Sequence, residues 1–223
     1  MKKRLVYLLL FFVAVLLAFV LQKPCFMLYN DAISRGVSFN DYIQVMWHGV
    51  SLDATTAGYL TAIPWLIVLV SVWFKRFPLR KLLVAYYAII ALVVSIVFIV
   101  DMGLYPFWKF KLDASVFLYL DSPKNAAASV SAWFLIVRTL VILLLAAVSA
   151  WALYRITPSV LPAVKKRIAG TGAMILIGGA LFVVIRGGVT ESTANIGQVY
   201  FCNDEFLNHS AVNPAFSLMA SAS

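Results

Sequence analysis

Few side chains in this sequence could do chemistry, and most of them sit where an apolar stretch begins or ends. Arg138 lies about two turns inside a long apolar run. A charge at that depth in lipid costs about 2.5–3.5 kcal/mol, so it needs a partner or must snorkel toward the headgroups. Asp53 and Asp101, each at the end of another apolar run, are the candidate partners. One expectation is a structural ion pair that locks helices together. The other is that Arg138 also holds a lipid phosphate, because a guanidinium fork suits phosphate.

A second constellation is the polar stripe His48, Ser51 and Thr55, at i, i+3 and i+7 on a helix entering lipid. Such a stripe either hydrogen-bonds neighbouring helices or lines a wet cavity. A lone His supplies no zinc site, which needs three or four ligands, and as a base it would need a nucleophile and an orienting group beside it. His209 offers no more. Cys25 and Cys202 are 177 positions apart; two separate thiols is the default reading and a disulfide the alternative. No phosphate loop, nucleophile elbow, His-Glu-x-x-His or paired catalytic carboxylate motif is present. The residues themselves thus predict no catalytic site, no metal site and no cofactor.

The elements that must position these residues follow from composition. With 63% hydrophobic and 12% charged residues in 223, the chain exceeds what one soluble core can hide. The net charge of +9 would suggest nucleic acid in a soluble protein, but no nucleic-acid motif accompanies it. About 20 apolar residues cross the hydrocarbon layer, and five stretches qualify: 5–21, 54–74, 82–105, 131–154 and 168–185. The predicted fold is an all-α bundle of five transmembrane helices. The first stretch follows Lys2, Lys3 and Arg4 like a signal peptide. It is too long and lacks a cleavage site, and the bulky Gln22-Lys23-Pro24 before Cys25 speaks against a lipoprotein signal. It reads as an uncleaved signal-anchor. Gly170, Gly172, Gly178 and Gly179 dilute the fifth stretch but permit close helix approach.

Basic residues set orientation. Eleven of the 18 fall in the N-terminal segment, at Lys75 to Lys81 and at Arg155 to Arg167, which predicts a cytoplasmic N-terminus and an extracytoplasmic C-terminus. All nine acids fall on the outer side. Residues 22–53 contain an expected interfacial helix opened by Asn40 as N-cap, and the next outer segment restarts as a helix at Ser122-Pro123. Trp65, Trp73, Trp108, Trp133 and Trp151 lie near span ends, as an aromatic belt requires. Residues 187–223 follow as a tail.

The outer motifs carry a resemblance. Phe19-Val20-Leu21-Gln22-Lys23-Pro24 with Met27-Leu28-Tyr29-Asn30, Asp41-Tyr42 with Trp47-His48-Gly49, Ser51-Leu52-Asp53 and Ala57-Gly58-Tyr59-Leu60 form its first part. Asp101-Met102-Gly103-Leu104-Tyr105-Pro106-Phe107-Trp108 and Leu118-Tyr119-Leu120-Asp121-Ser122-Pro123-Lys124 form its second. In the tail, Asn195-Ile196-Gly197-Gln198-Val199-Tyr200-Phe201, Leu207-Asn208-His209 and Ala211-Val212-Asn213-Pro214-Ala215-Phe216 complete it. Together they resemble the membrane region of lipoteichoic acid synthase-like proteins, in the sulfatase and phosphoglycerol transferase group of the alkaline phosphatase superfamily.

The resemblance implies a multi-pass domain, residues 1–186, in a bacterial cytoplasmic (inner) membrane, with 187–223 as an extracytoplasmic linker. It implies a following catalytic domain with a Thr or Ser nucleophile and a divalent metal (Mn, Mg or Zn) that moves phosphoglycerol or phosphoethanolamine or hydrolyses an ester. The sequence stops at Ser223, so that nucleophile and those ligands have no positions here. The expected role is to anchor, and to present a lipid-linked anionic substrate; membrane lipids are the expected partners and nucleic acid is not. The alternatives are a complete non-enzymatic membrane protein that binds lipid or a partner through its outer loops and, behind it, a small transporter.

Overall fold

The computed structural model describes residues 1–33, 36–74, 77–119, 131–159 and 161–222. Its long helices are α1 (Lys2–Tyr29), α2 (Phe39–Val70), α3 (Leu79–Trp108), α5 (Ala132–Ile156) and α6 (Arg167–Arg186), with a single turn, α4 (Val116–Tyr119), between α3 and α5. A 3₁₀ turn at Ile196–Val199 and two short helices, α7 (Glu205–Ala211) and α8 (Pro214–Ser221), form the tail. Among the described residues there is no strand, and five helices are long and apolar enough to cross a membrane. The Ser122-Pro123 helix start lies outside the described residues; α5 is capped by Ser131, whose hydroxyl accepts from Phe134 N.

Two boundaries differ from the sequence reading. The interfacial helix and the second span form one helix of 32 residues, about 48 Å long at 1.5 Å per residue, so one end must project beyond a hydrocarbon layer about 30 Å thick. Its cap is Ser38 rather than Asn40: Ser38 N donates to Asp41 Oδ2 at 2.7 Å and Asp41 N to Ser38 Oγ at 3.4 Å, a reciprocal capping box. Similarly, α1 runs on to Tyr29 through Pro24. Lys23 is therefore helical, on the same face as the buried Phe19 and Phe26.

The helices alternate in direction. One end of the bundle joins the start of α1, the end of α2, the starts of α3 and α6 and the end of α5; the acidic end carries the tail. Packing is closest for α1 with α2, α2 with α6 and α3 with α5. Near the basic end the core holds Tyr7, Phe11, Leu83, Tyr87 and Met174, stitched by Tyr7 OH to Tyr87 OH at 2.5 Å and Tyr87 OH to Thr157 Oγ1 at 2.8 Å. At the acidic end Phe26, Met27, Val45, Leu52, Phe98 and Tyr105 pack with Phe206, Val212 and Phe216 of the tail. The fifth span uses its glycines unequally. Gly178 lies against the Trp65 ring, which donates to Met174 O at 2.8 Å, whereas Gly172 and Gly179 face open space. Much of α5 and α6 is exposed apolar surface, as a lipid-facing surface would be.

A buried polar knot and an apolar groove as the candidate functional site

Two carboxylates enter the core from α2 and α3, and each finds a lysine. Asp53 is fully buried and pairs with Lys23 of α1, itself 3% exposed. Asp101 is fully buried and pairs with Lys111. The second pair exists because α3 ends at Lys109, whose φ of 60° turns the chain back on the helix end. Leu112 N then donates to Asp101 Oδ1 at 2.9 Å, and the Lys111 ammonium sits 3.8 Å from the centre of the Phe26 ring. A buried charge is tolerated only when paired and hydrogen-bonded, and both carboxylates meet that condition.

The tail closes this knot. Asn213 Nδ2 donates to Asp53 Oδ1 at 2.9 Å, while its Oδ1 accepts from Ala215 N and Phe216 N and so caps α8. Asn208 holds the preceding loop: its Oδ1 accepts from Phe201 N at 2.9 Å, and its Nδ2 donates to Cys202 O at 2.7 Å. Gly49 makes the approach possible, because a Cβ there would strike Lys23 Cε and Ala211 O. Nearby, Tyr105 OH and His209 Nδ1 are 3.1 Å apart. Burial pushes the Lys111 ammonium below its ordinary value against the pull of Asp101. Burial and Lys111 lower His209, with Glu205 and Asp101 opposing, and burial with Glu205 raises Tyr200.

Of the stripe predicted on α2, only Thr55 hydrogen-bonds a neighbouring long helix. His48 stacks on Phe201, with ring centres 4.6 Å apart and planes at 4°, and Ser51 Oγ accepts from Gln198 Nε2 at 3.2 Å. Thr55 Oγ1 donates to Val184 O of α6 at 3.2 Å. The stripe binds tail and neighbouring helix to α2.

The expected partners of Arg138 need correction. Asp53 and Asp101 are engaged by Lys23 and Lys111, while Arg138 is half-exposed on α5. Its guanidinium donates to Tyr29 OH and stacks over the rings of Tyr29, at 4.7 Å, and Phe134, at 5.0 Å. Aromatic faces stand where carboxylates were expected. Lys23, Gly49 and Asn213 enter the sequence reading only within the motifs of the resemblance, with no role of their own, and Lys111 has none. For Lys23 a signal existed: Phe11, Val15, Phe19 and Lys23 recur every four residues, so continuing the helix puts the lysine on the buried face. Cys25 and Cys202 are both free and exposed.

Beside the knot an apolar groove of about 460 Å³ runs between α1, α3 and α5, with Ala18, Phe19, Ala91 and Leu145 among its lining residues. Its acidic end reaches Gln22 and Cys25, and the Gln22 Oε1 atom is buried with no hydrogen-bond partner. Phe19, Gln22 and Phe98 also bound a small cavity of about 10 Å³ that touches Lys23, Asp101 and Lys111. Apolar lining ending in a few polar groups is the usual form of a small-molecule site.

Among the described residues no three His, Cys, Asp or Glu side chains come together to hold a metal ion. The divalent metal implied by the resemblance therefore has no fitting ligand set in these residues. Compared with family models, curated proteins and solved structures, the chain matches none.

Proposed function

We propose that this chain is the membrane-anchoring, lipid-presenting domain of a cell-envelope phosphoglycerol or phosphoethanolamine transferase or sulfatase-like hydrolase. It would sit in a bacterial cytoplasmic membrane with its N-terminus inside and the tail outside. The observation that carries the reading is the groove: largely apolar, it ends at Gln22 beside two buried lysine–carboxylate pairs. An acyl or prenyl chain suits such a groove, and the unpartnered Gln22 oxygen suits a donor on the headgroup, such as a glycerol hydroxyl or an ethanolamine ammonium. The motifs of the resemblance support the same reading, since Lys23, Gly49, Asp53, Asp101 and Asn213 converge on the knot.

In this reading the knot is mechanical. It holds the tail at a fixed place over the groove, so that whatever the tail carries meets the headgroup in one orientation. The packed tail equally suits a membrane protein that is complete without a catalytic domain; coding sequence continuing past Ser223 into a metal-binding α/β domain would separate the two.

The test is lipid retention by the full chain. Native mass spectrometry after exchange into phosphoglycerol or phosphoethanolamine lipids should show retained lipid, and Ala18→Trp, which fills the groove, should lower the number retained by one. Retention unaffected by Ala18→Trp would refute the groove as the site. An impermeant maleimide should label Cys202 in intact cells of a Cys25→Ser background, and should spare a cysteine at Ser159. The opposite labelling would invert the orientation.

A further inference from the structure

At the basic end a separate cavity of about 310 Å³ lies between α1, α2, α3 and α6. Arg4, Arg80, Lys81 and Arg167 line it together with Ser71 and apolar residues such as Phe77 and Val164. Among the described residues no carboxylate lines it, and the sequence explains why. Residues 1–30, 54–100 and 131–190, which include every lining residue, contain no Asp or Glu. Four cations thus share one cavity without a side-chain counterion.

Two of them are held unusually. Arg4 is 2% exposed, and its guanidinium is satisfied only by neutral oxygens: Ser71 Oγ at 3.4 Å, Pro162 O at 2.8 Å and Ser71 O at 3.3 Å. A buried charge normally has a partner of opposite sign. Arg80 stacks over Tyr154 at 4.4 Å, yet its Nε is buried with no hydrogen-bond partner.

The backbone adds to the same field. Arg80 and Lys81 stand in the first turn of α3 and Arg167 in that of α6, helices of 30 and 20 residues. Neither has a side-chain cap or an acid in its first turn. Helix starts carry positive partial charge and favour anions, so cations placed there repel it unless an anion occupies the cavity.

We infer that this cavity binds the phosphate headgroup of an anionic phospholipid from the leaflet at the basic end of the bundle. The chemistry is a phosphate diester held by guanidinium forks and a lysine. The apolar part of the wall, with Val72, Phe77, Leu161 and Val164, suits the first carbons of the acyl chains rather than a fully solvated ion. Basic pockets between helix ends on the cytoplasmic side bind such headgroups in other membrane proteins.

The experiment uses the full chain in neutral detergent, offered phosphatidylglycerol and phosphatidylcholine in equal amounts, with bound lipid read by native mass spectrometry. Phosphatidylglycerol should be preferred, and the triple variant Arg80→Gln, Lys81→Gln, Arg167→Gln should lose that preference. At about fivefold per cation near an anionic lipid, the combined loss approaches about a hundredfold. Arg4 is left intact because it also clamps α1 to α2. Every chain in the comparison carries Ala18→Trp, which blocks the groove at the other end, so lipid held there does not enter the preference and failure of one site does not imply failure of the other. Equal binding of the two lipids by the chain carrying Ala18→Trp alone, with the four cations intact, would overturn the inference. So would a preference unchanged in a triple variant whose helical circular dichroism matches wild type. Millimolar inorganic phosphate should not displace the lipid; displacement would reassign the cavity to a soluble anion.

Discussion

Lys23→Met is the sharpest perturbation of the knot, because it keeps side-chain volume and removes one charge. Asp53 would be left fully buried with Asn213 as its remaining partner. Breaking a buried pair costs about 3–5 kcal/mol. The loss has a ceiling, since an ordinary carboxylate can be protonated at pH 7 for about 4 kcal/mol; the hydrogen bond from Asn213 is present before and after the change and offsets nothing. A net loss of about 3–4 kcal/mol is expected. The companion Lys23→Met/Asp53→Leu removes both charges, and such double replacements are often neutral; only the Asn213 amide then lacks its acceptor, at about 1–3 kcal/mol. Equilibrium unfolding in mixed micelles, followed by circular dichroism, should place the single variant below the double and both below wild type. A single variant as stable as wild type, or a double variant no more stable than the single, would refute the account of a buried, mutually dependent pair.

Gly49→Ala would drive a methyl into Lys23 Cε and the Ala211 carbonyl; a loss of about 1–3 kcal/mol is expected, with faster amide exchange over residues 205–221 as its local signature. Arg138→Leu breaks no carboxylate pair and gives up stacking on Tyr29 and Phe134, worth about 0.5–1 kcal/mol at an exposed site; its unfolding midpoint should stay close to wild type. His209 is held below its ordinary value of 6.5 by burial and Lys111, amid Tyr105, Tyr200, Glu205 and Asp101. A lowered folded value means stability complete above pH 6.5 and lost as pH falls toward the folded value. The melting temperature should therefore drop on acidification from pH 7.5 to about 5, with a smaller drop in His209→Asn.

The five spans were legible because apolar length is a one-dimensional property of the chain. What was not legible was which charges enter the interior. Asp53 and Asp101 stood out as acids at span edges, but their partners depend on how far α1 continues past Leu21 and on the left-handed turn at Lys109. Lys109 lacks the glycine that usually marks such a turn, so the return of Lys111 to Asp101 left no local signal. The cap at Ser38 was readable, as Ser-x-x-Asp before an apolar run. Asn40 competed with it as an equally good capping side chain. The linker expected for the tail rests on the resemblance alone, and its apolar residues Phe206, Val212 and Phe216 are few and scattered. They are buried only because the ends of α1, α2 and α3 beside them offer a surface that no local pattern announces.

Cys25 reports directly on lipid in the groove, since it is free, exposed and part of the lining. In a Cys202→Ser background, the full chain in nanodiscs should be alkylated at Cys25 by a membrane-soluble maleimide at a rate that falls as phosphatidylglycerol replaces phosphatidylcholine. In Ala18→Trp, where the groove is filled, the rate should no longer depend on the lipid. A wild-type rate that is the same in both lipids would contradict the claim that this domain holds a phosphoglycerol lipid beside the knot.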